Sequence, residues 1–430
     1  MNKASGRQVP QSSWASNLNC LGDANAAADL VPMDMDTMLT AAQSQTGLQD
    51  YGDDGFREAL SILIDSLNNE AALNLTGRLI AKTEISRLLQ SRLAIIDTEI
   101  RYPEIAQEKI IEPLFIIGMG RTGSSILYEC FMQDPTHRAP LAWEKKLPCF
   151  DAAVNQGYRA ANPIDPIDWV NAEAKIMYEV DDSLRSKHET HAHLPEECSQ
   201  LMAHEFQSGH FFSRNNVPSY ALWNATNDVT PALNMHKRIL KILQWQKRQV
   251  SKASGESNYQ PQRWILKYGG HMACLPQLFA IYPDAKVIHT HRDPSVVVQS
   301  MTSLIASLRL MRSDSFDADS AAEMLNAGMA KGLGKVIQER SDALVPTEQI
   351  ADIHFSELMT DTITTIGKAY KALGMPFSDT AKTAIEDYLQ ARPRTQFGKH
   401  KYAYADSVDL ERERLRFQDY MDHYAIAVES

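Results

Sequence analysis

The chain has 430 residues, 44% of them hydrophobic and 23% charged, and 43 basic against 54 acidic side chains leave a formal charge of −11. Such a composition excludes collagen-like and wholly disordered chains, and the length allows one large α/β domain with a sizeable core. The acidic total argues against nonspecific nucleic-acid binding, which needs a positive field, yet a locally basic cleft for a small anion stays open.

Residues 1–33 lack periodicity and are rich in Ala, Asn, Ser and Asp, which reads as a flexible arm. Met1 to Trp14 carries no apolar signal region, and no apolar run approaches the roughly 18–20 residues of a bilayer-spanning helix. An N-terminal helical layer is expected over 34–108. There Phe56, Leu60, Leu63 and Leu67 share one face, and Ile85, Leu88, Leu89, Leu93 and Ile96 another. The glycine-rich run between Gly47 and Phe56 separates two helices as a turn cluster.

The first strand is Leu114-Phe115-Ile116-Ile117, apolar throughout as strands buried on both faces are. Gly118-Met119-Gly120-Arg121-Thr122-Gly123-Ser124-Ser125 follows it and opens a helix from Ile126 to Gln133. Residues 140–260 read as a helical insertion. Further strands are expected at Trp264–Lys267, Ala285–Thr290 and Ile350–Phe355. The third strand runs into His291-Arg292-Asp293-Pro294, with Asp293 as helix cap and Pro294 in the first turn. The last strand leads to a helix capped by Ser356 and stopped at Gly374. Strand–helix alternation implies a parallel sheet, with ligands bound beyond the carboxyl ends of its strands. The cysteines (Cys20, Cys130, Cys149, Cys198, Cys274) are scattered and odd in number, which suits a reducing, cytoplasmic compartment.

The glycine loop carries the sharpest chemical signal. Backbone N–H groups turned inward, together with a helix N-terminus, form an anion cradle. Gly118 and Gly123 have the spacing of a nucleotide-triphosphatase loop, but Ser124 stands where such loops carry lysine and the basic residue is Arg121. Arg292, with Ser300 eight residues on, could grip a phosphate; the bland alternative is an arginine paired with a nearby carboxylate.

Together these segments resemble the 3′-phosphoadenylyl sulfate (PAPS) dependent sulfotransferases, in particular their bacterial "sulfotransferase family 3" branch. The resemblance runs in order from 46 to 424, through Thr46-Gly47-Leu48, Gly77-Arg78, Arg92-Leu93, Pro140–Glu144, Pro195–Cys198, Trp264–His271, Tyr282–Pro294 and Gly398–Tyr402. Departures are Gly120 where a proline is usual, Ser124-Ser125 for a threonine pair, and Tyr268-Gly269-Gly270 for Ser-Pro-x. The resemblance implies a P-loop-like α/β fold with a parallel sheet flanked by helices. It implies PAPS as co-substrate and adenosine 3′,5′-bisphosphate (PAP) as product, a small-molecule acceptor of the hydroxyl or amine class, and no metal. Gly120, Arg121, Thr122, Gly123, Ser124 and Ser125 would bind the 5′-phosphosulfate. Arg292 and Ser300 would hold the 3′-phosphate, with Lys399 and Lys401 closing over it. Arg121 and Lys267 are the cations for the sulfuryl group.

A base must take the acceptor proton. Glu144 is the leading candidate, with His271, Glu197 and His193 as rivals; the His191, His193, Glu196, Glu197 group also has metal-like spacing, interrupted by Pro195. A small-molecule or nucleotide kinase and a non-catalytic nucleotide-binding protein are the competing readings.

Overall fold

Leu114–Ile117 lies at the centre of a parallel sheet in the computed structural model, which describes residues 12–22, 24–149, 165–182, 184–187, 189–255, 259–391 and 409–429. The strands are β1 (Leu114–Gly118), β2 (His137–Arg138), β3 (Arg263–Lys267), β4 (Lys286–His291) and β5 (Ile350–His354). Their order is β2-β3-β1-β4-β5, with every pairing parallel. All four expected strands form. The sequence reading missed β2, whose two residues are too few to show a pattern.

From β1 the chain passes to the edge strand β2, returns to β3 beside β1, and then crosses to β4 and β5 on the other side, so the carboxyl end of β1 is a topological switch point. In register, Ile116 lies beside Lys267 of β3, and Gly118 beside Thr290 of β4. One face of the sheet packs Leu114, Ile116, Ile265 and Ile288 against Leu127, Phe131, Ile366 and Tyr370. Apolar burial on both faces is why β1 reads as an unbroken hydrophobic run. This sheet unit comprises Ile110–Pro140, Gln262–Leu304 and the chain from Asp317 onward.

A second compact unit, almost entirely helical, takes the chain up to Lys109 with Leu141–Pro261 and Ile305–Phe316. Its core joins the expected faces, Phe56, Leu60, Leu63 and Leu67 with Ile85, Leu88, Leu89 and Leu93, to Phe206, Phe211 and Tyr220. Helices Met35–Thr46, Phe56–Asn69 and Leu75–Arg101 form the first layer, and Pro166–Val180 and Thr230–Ala253 are the longest described helices of the insertion. Contacts among the described residues thus group the chain into two compact units.

Two local expectations change. Ser13–Asn19 and Ala24–Leu30, inside the expected flexible arm, are helical. Ala27 and Val31 bury against Leu75, and Asn19 Oδ1 accepts from the Thr76 N–H and hydroxyl at 2.9 and 2.8 Å. Alanines give little periodic signal, which hid these short helices. The helix expected to run from Ser356 is two, Phe355–Thr360 and Thr362–Ala372, with Asp361 capping the second through the Thr364 N–H at 3.0 Å.

Candidate active site

The glycine loop leaves β1 through three residues of positive φ: Gly118 (130°), Arg121 (67°) and Gly123 (81°). Gly118 is required twice over. Its φ disfavours any side chain, and a Cβ there would lie 2.4 Å from Thr290 Oγ1. Gly123 in the left-handed region caps the helix Ser124–Phe131, so the helix opens directly off the loop and presents its first N–H groups there. Thr122 is wholly buried and donates its hydroxyl to the Met119 carbonyl at 2.7 Å, with Thr290 Oγ1 also 2.7 Å away. Its side chain therefore fixes the loop and is not free to bind an anion.

Two cations join this loop. Lys267, at the end of β3, donates from Nζ to Ser125 Oγ at 2.9 Å. Arg121 donates from Nε to Ser300 Oγ at 3.0 Å, which ties the glycine loop to the helix after β4. The structure therefore brings Arg121, Ser125, Lys267 and Ser300 together. The Tyr268-Gly269-Gly270 departure has a steric reason, because a Cβ on Gly269 would lie 2.5 Å from the Gly118 carbonyl oxygen.

Arg292 arrives from the end of β4. Its Nη1 donates to the Arg121 carbonyl at 2.7 Å, and its guanidinium lies 3.8 Å over the Phe355 ring. Its Nε and Nη2 donate to the two oxygens of Glu429, each at 2.8 Å, so the fork holds a carboxylate edge-on rather than Ser300. Asp293 caps the next helix through the Ser295 N–H at 2.9 Å, as expected. Lys399 and Lys401 lie outside the described residues.

A family model described as "Sulfotransferase family" matches residues 113–379, which include the loop, Lys267, Arg292 and Ser300. The chain belongs to that family. Omega-hydroxy-beta-dihydromenaquinone-9 sulfotransferase Stf3 of Mycobacterium bovis is 23% identical over 290 residues, 64% of this chain and 66% of the relative, and its Mycobacterium tuberculosis counterpart matches equally. The match thus spans just under two thirds of those curated relatives' length. Among solved structures, sulfotransferase STF1 from Mycobacterium tuberculosis H37Rv superposes with a TM-score of 0.73 at 26% identity, over 90% of this chain and 99% of that one. For STF9 from Mycobacterium avium the TM-score is 0.78 at 21% identity, over 92% and 97%, a likeness of fold.

The candidate bases of this sulfotransferase-family chain differ in setting. Glu144, in the helical unit, is buried in the short helix Ala142–Lys146 and accepts the Leu141 N–H on Oε2 at 3.0 Å. That helix is stitched to the next candidate group by Ala142 N to Leu194 O at 3.0 Å and by the buried Lys145–Glu196 pair at 2.6 Å. Glu196 is therefore engaged by a lysine, while His191 and His193 are exposed with rings 5.6 Å apart. In the sheet unit, His271 is fully buried, edge-on to Phe115 and Tyr268 at 5.3 and 5.2 Å, and burial pushes its pKa down to about 3.

The metal-like spacing at 191–197 gathers no ligand set. Among the described residues, the group close enough to share an ion is His289, His291 and Asp352, of which only Asp352 lies outside the motifs read above. Arg340 holds both Asp352 oxygens, at 2.8 and 2.9 Å. His291 donates to Asp352 from Nε2 at 2.9 Å and accepts the Tyr420 hydroxyl on Nδ1 at 3.0 Å. A cation would have to displace a guanidinium, so this donor set suits a brace for the strand end that carries Arg292.

Several family-like segments prove to be structural. Arg92, 1% exposed, donates to Glu205 at 2.6 Å and to the carbonyls of Tyr51, Asp53 and His204 at 2.9–3.2 Å. It thereby fixes the loop between the first helices. Arg78, equally buried, does the same for Val31 O and Asn68 Oδ1 at 3.0 and 2.8 Å. Sequence reasoning also missed Glu84, His210 and Arg214. His210 takes the Arg214 guanidinium on Nδ1 at 2.7 Å and gives its Nε2 proton to Glu84 at 2.5 Å, while burial and then the Arg214 charge push its pKa down to about 3. Three charged or polar residues spread over 84–214 leave no spacing signal.

Proposed function

We propose that this chain transfers the sulfuryl group of PAPS to a hydroxyl or amine of a small-molecule acceptor and releases PAP. The observation that carries the reading is the convergence of the glycine loop, Lys267, Arg292 and Ser300 at the carboxyl ends of β1, β3 and β4. Arg292 already holds an oxyanion in bidentate fashion, which fits an anionic nucleotide. The loop amides, Ser124, Ser125, Arg121 and Lys267 would take the 5′-phosphosulfate, and Arg292 with Ser300 the 3′-phosphate.

In-line attack by the acceptor oxygen or nitrogen on sulfur breaks the bond to the 5′-phosphate oxygen, and the acceptor proton must leave. Positive charge and positioning supply most of the rate, with one general base completing the step. We assign that proton to Glu144; His271, whose pKa burial pushes down to about 3, is the alternative base. The Stf3 relatives carry an omega-hydroxy acceptor in their name, which favours a hydroxyl here. No described helix is long and apolar enough to cross a membrane, and the described cysteines are free, which supports a reducing, cytoplasmic setting.

Isothermal titration with PAP and with adenosine 5′-monophosphate tests the reading. Arg292→Ala should weaken PAP roughly ten- to hundredfold through loss of a charge-assisted pair, and leave the monophosphate, which lacks a 3′-phosphate, nearly unchanged. Equal losses for both nucleotides would remove Arg292 from the site.

A further inference from the structure

The oxyanion on Arg292 is part of this same chain, and the segment that presents it is anchored for the purpose. The Glu429 N–H donates to Asp293 Oδ2 at 2.9 Å, and the Glu429 carbonyl accepts from Arg414 Nη2 at 3.2 Å. Arg414 itself lies 3.8 Å from Asp293. Tyr420 and Tyr424 of the preceding turns pack on His291, Tyr424 with its ring centroid 4.1 Å away. The main chain at 429 is thus pinned to the residue next to Arg292, and only the Glu429 side chain reaches the fork.

Arg292 has little left to offer. Its Nε/Nη2 edge is filled by Glu429, Nη1 is on the Arg121 carbonyl, and Phe355 covers one face of the guanidinium. A phosphate seeking the same edge meets a carboxylate, and two anions cannot share it. With 33% of its side chain exposed, Glu429 can swing away without opening a core.

We propose that Glu429 is an internal competitor for the 3′-phosphate at Arg292, and so sets the affinity for PAPS and PAP. This rests on the reading of Arg292 given above. In the nucleotide-free protein Glu429 keeps the fork extended over Phe355; nucleotide binding exchanges one oxyanion for another. The exchange lowers apparent affinity by the fraction of molecules whose fork is open, and it eases departure of PAP after transfer.

Glu429→Gln keeps the side chain's length and removes its charge, and Glu429→Ala removes the competitor while leaving the backbone anchors. Titration of the full chain should show PAP tightened roughly two- to fivefold in both variants, as expected for losing one partly exposed ion pair. Adenosine 5′-monophosphate should bind all forms alike. Unchanged or weaker PAP binding in both variants, alongside a loss in Arg292→Ala, overturns the competitor role and leaves the phosphate site standing. If Arg292→Ala has no effect on PAP, the site reading itself falls and the competitor with it.

Discussion

Arg92 and Arg292 carry the same guanidinium into opposite circumstances. In the helical unit, Arg92 spends its donors on three backbone carbonyls and Glu205, with the Phe56 ring 4.1 Å from its guanidinium carbon. In the sheet unit, Arg292 spends most of its donors on one part-exposed side chain, Glu429, and also lies over a ring. The acceptors of Arg92 are fixed by the fold, whereas the main acceptor of Arg292 can leave. A guanidinium available to a ligand is thus recognised by an exchangeable partner, and ring stacking, common to both, discriminates nothing.

Glu144 is the exception that tests this division, because we assign chemistry to a buried carboxylate of the helical unit. Glu144→Gln keeps an oxygen for the Leu141 N–H, so the fold should hold, but the amide accepts no proton at neutral pH. General-base catalysis contributes about 10²–10⁴ in rate, and the single-turnover rate should fall by that order with PAP affinity unchanged. His271→Gln should leave the rate within a few-fold. The reverse pair of results moves the base to His271. Lost PAP binding in Glu144→Gln makes Glu144 structural.

Removing Arg92 should act on the fold alone. Arg92→Met strands Glu205, whose carboxyl burial pushes up against the pull of Arg92, and leaves three carbonyls unpaired. Breaking a buried pair from one side costs about 3–5 kcal/mol, readable in urea unfolding, while Arg292→Ala should cost about 1 kcal/mol or less. A large stability loss at Arg292 would erase the contrast.

What the sequence made legible follows the same line. Periodicity marked the strands β1, β3, β4 and β5 and the faces from Phe56 to Leu93, because apolar spacing is dictated by burial. The glycine loop was legible because positive φ and close approach restrict residue type. Arg121 and Ser300 were each named without their mutual bond, which depends on how a loop and a helix 179 residues apart meet. Glu429 was invisible, since a carboxylate far along the chain gives no hint of which arginine it will reach. The pairing of Arg292 with a carboxylate had been weighed only as an alternative to phosphate binding, and the structure makes it the state of the free fork.

Acid should reveal an effect spread over both units. His204 and His210 in the helical unit and His271 in the sheet unit are held by burial to a pKa of about 3, against an ordinary 6.5. The unfolded chain therefore takes these protons near pH 6.5 and the folded chain only near 3. Between those limits stability falls as pH is lowered, by about 1.4 kcal/mol per pH unit for each histidine. Chemical unfolding at pH 7, 6 and 5 should show the slope, and His271→Gln should remove one histidine's share. An unchanged slope in that variant would mean that protons reach His271 in the folded state.

Chelation should have the smallest effect, and it separates sulfuryl from phosphoryl transfer. Phosphoryl transfer on a nucleotide-triphosphatase loop relies on a lysine and on magnesium held by the adjacent hydroxyl. Here Ser124 occupies the lysine position, and the positive charge comes from Arg121 and from Lys267, whose Nζ already engages Ser125 at 2.9 Å. In the cluster at His289, His291 and Asp352, both Asp352 oxygens are held by Arg340, so an ion there would have to displace a guanidinium. Excess EDTA should therefore leave PAPS turnover within a factor of about two, well inside the 1.4 kcal/mol that makes tenfold. Activity lost to EDTA and restored by magnesium would transfer the glycine loop to the kinase reading, and the two arginines of the sheet unit would then need a different ligand.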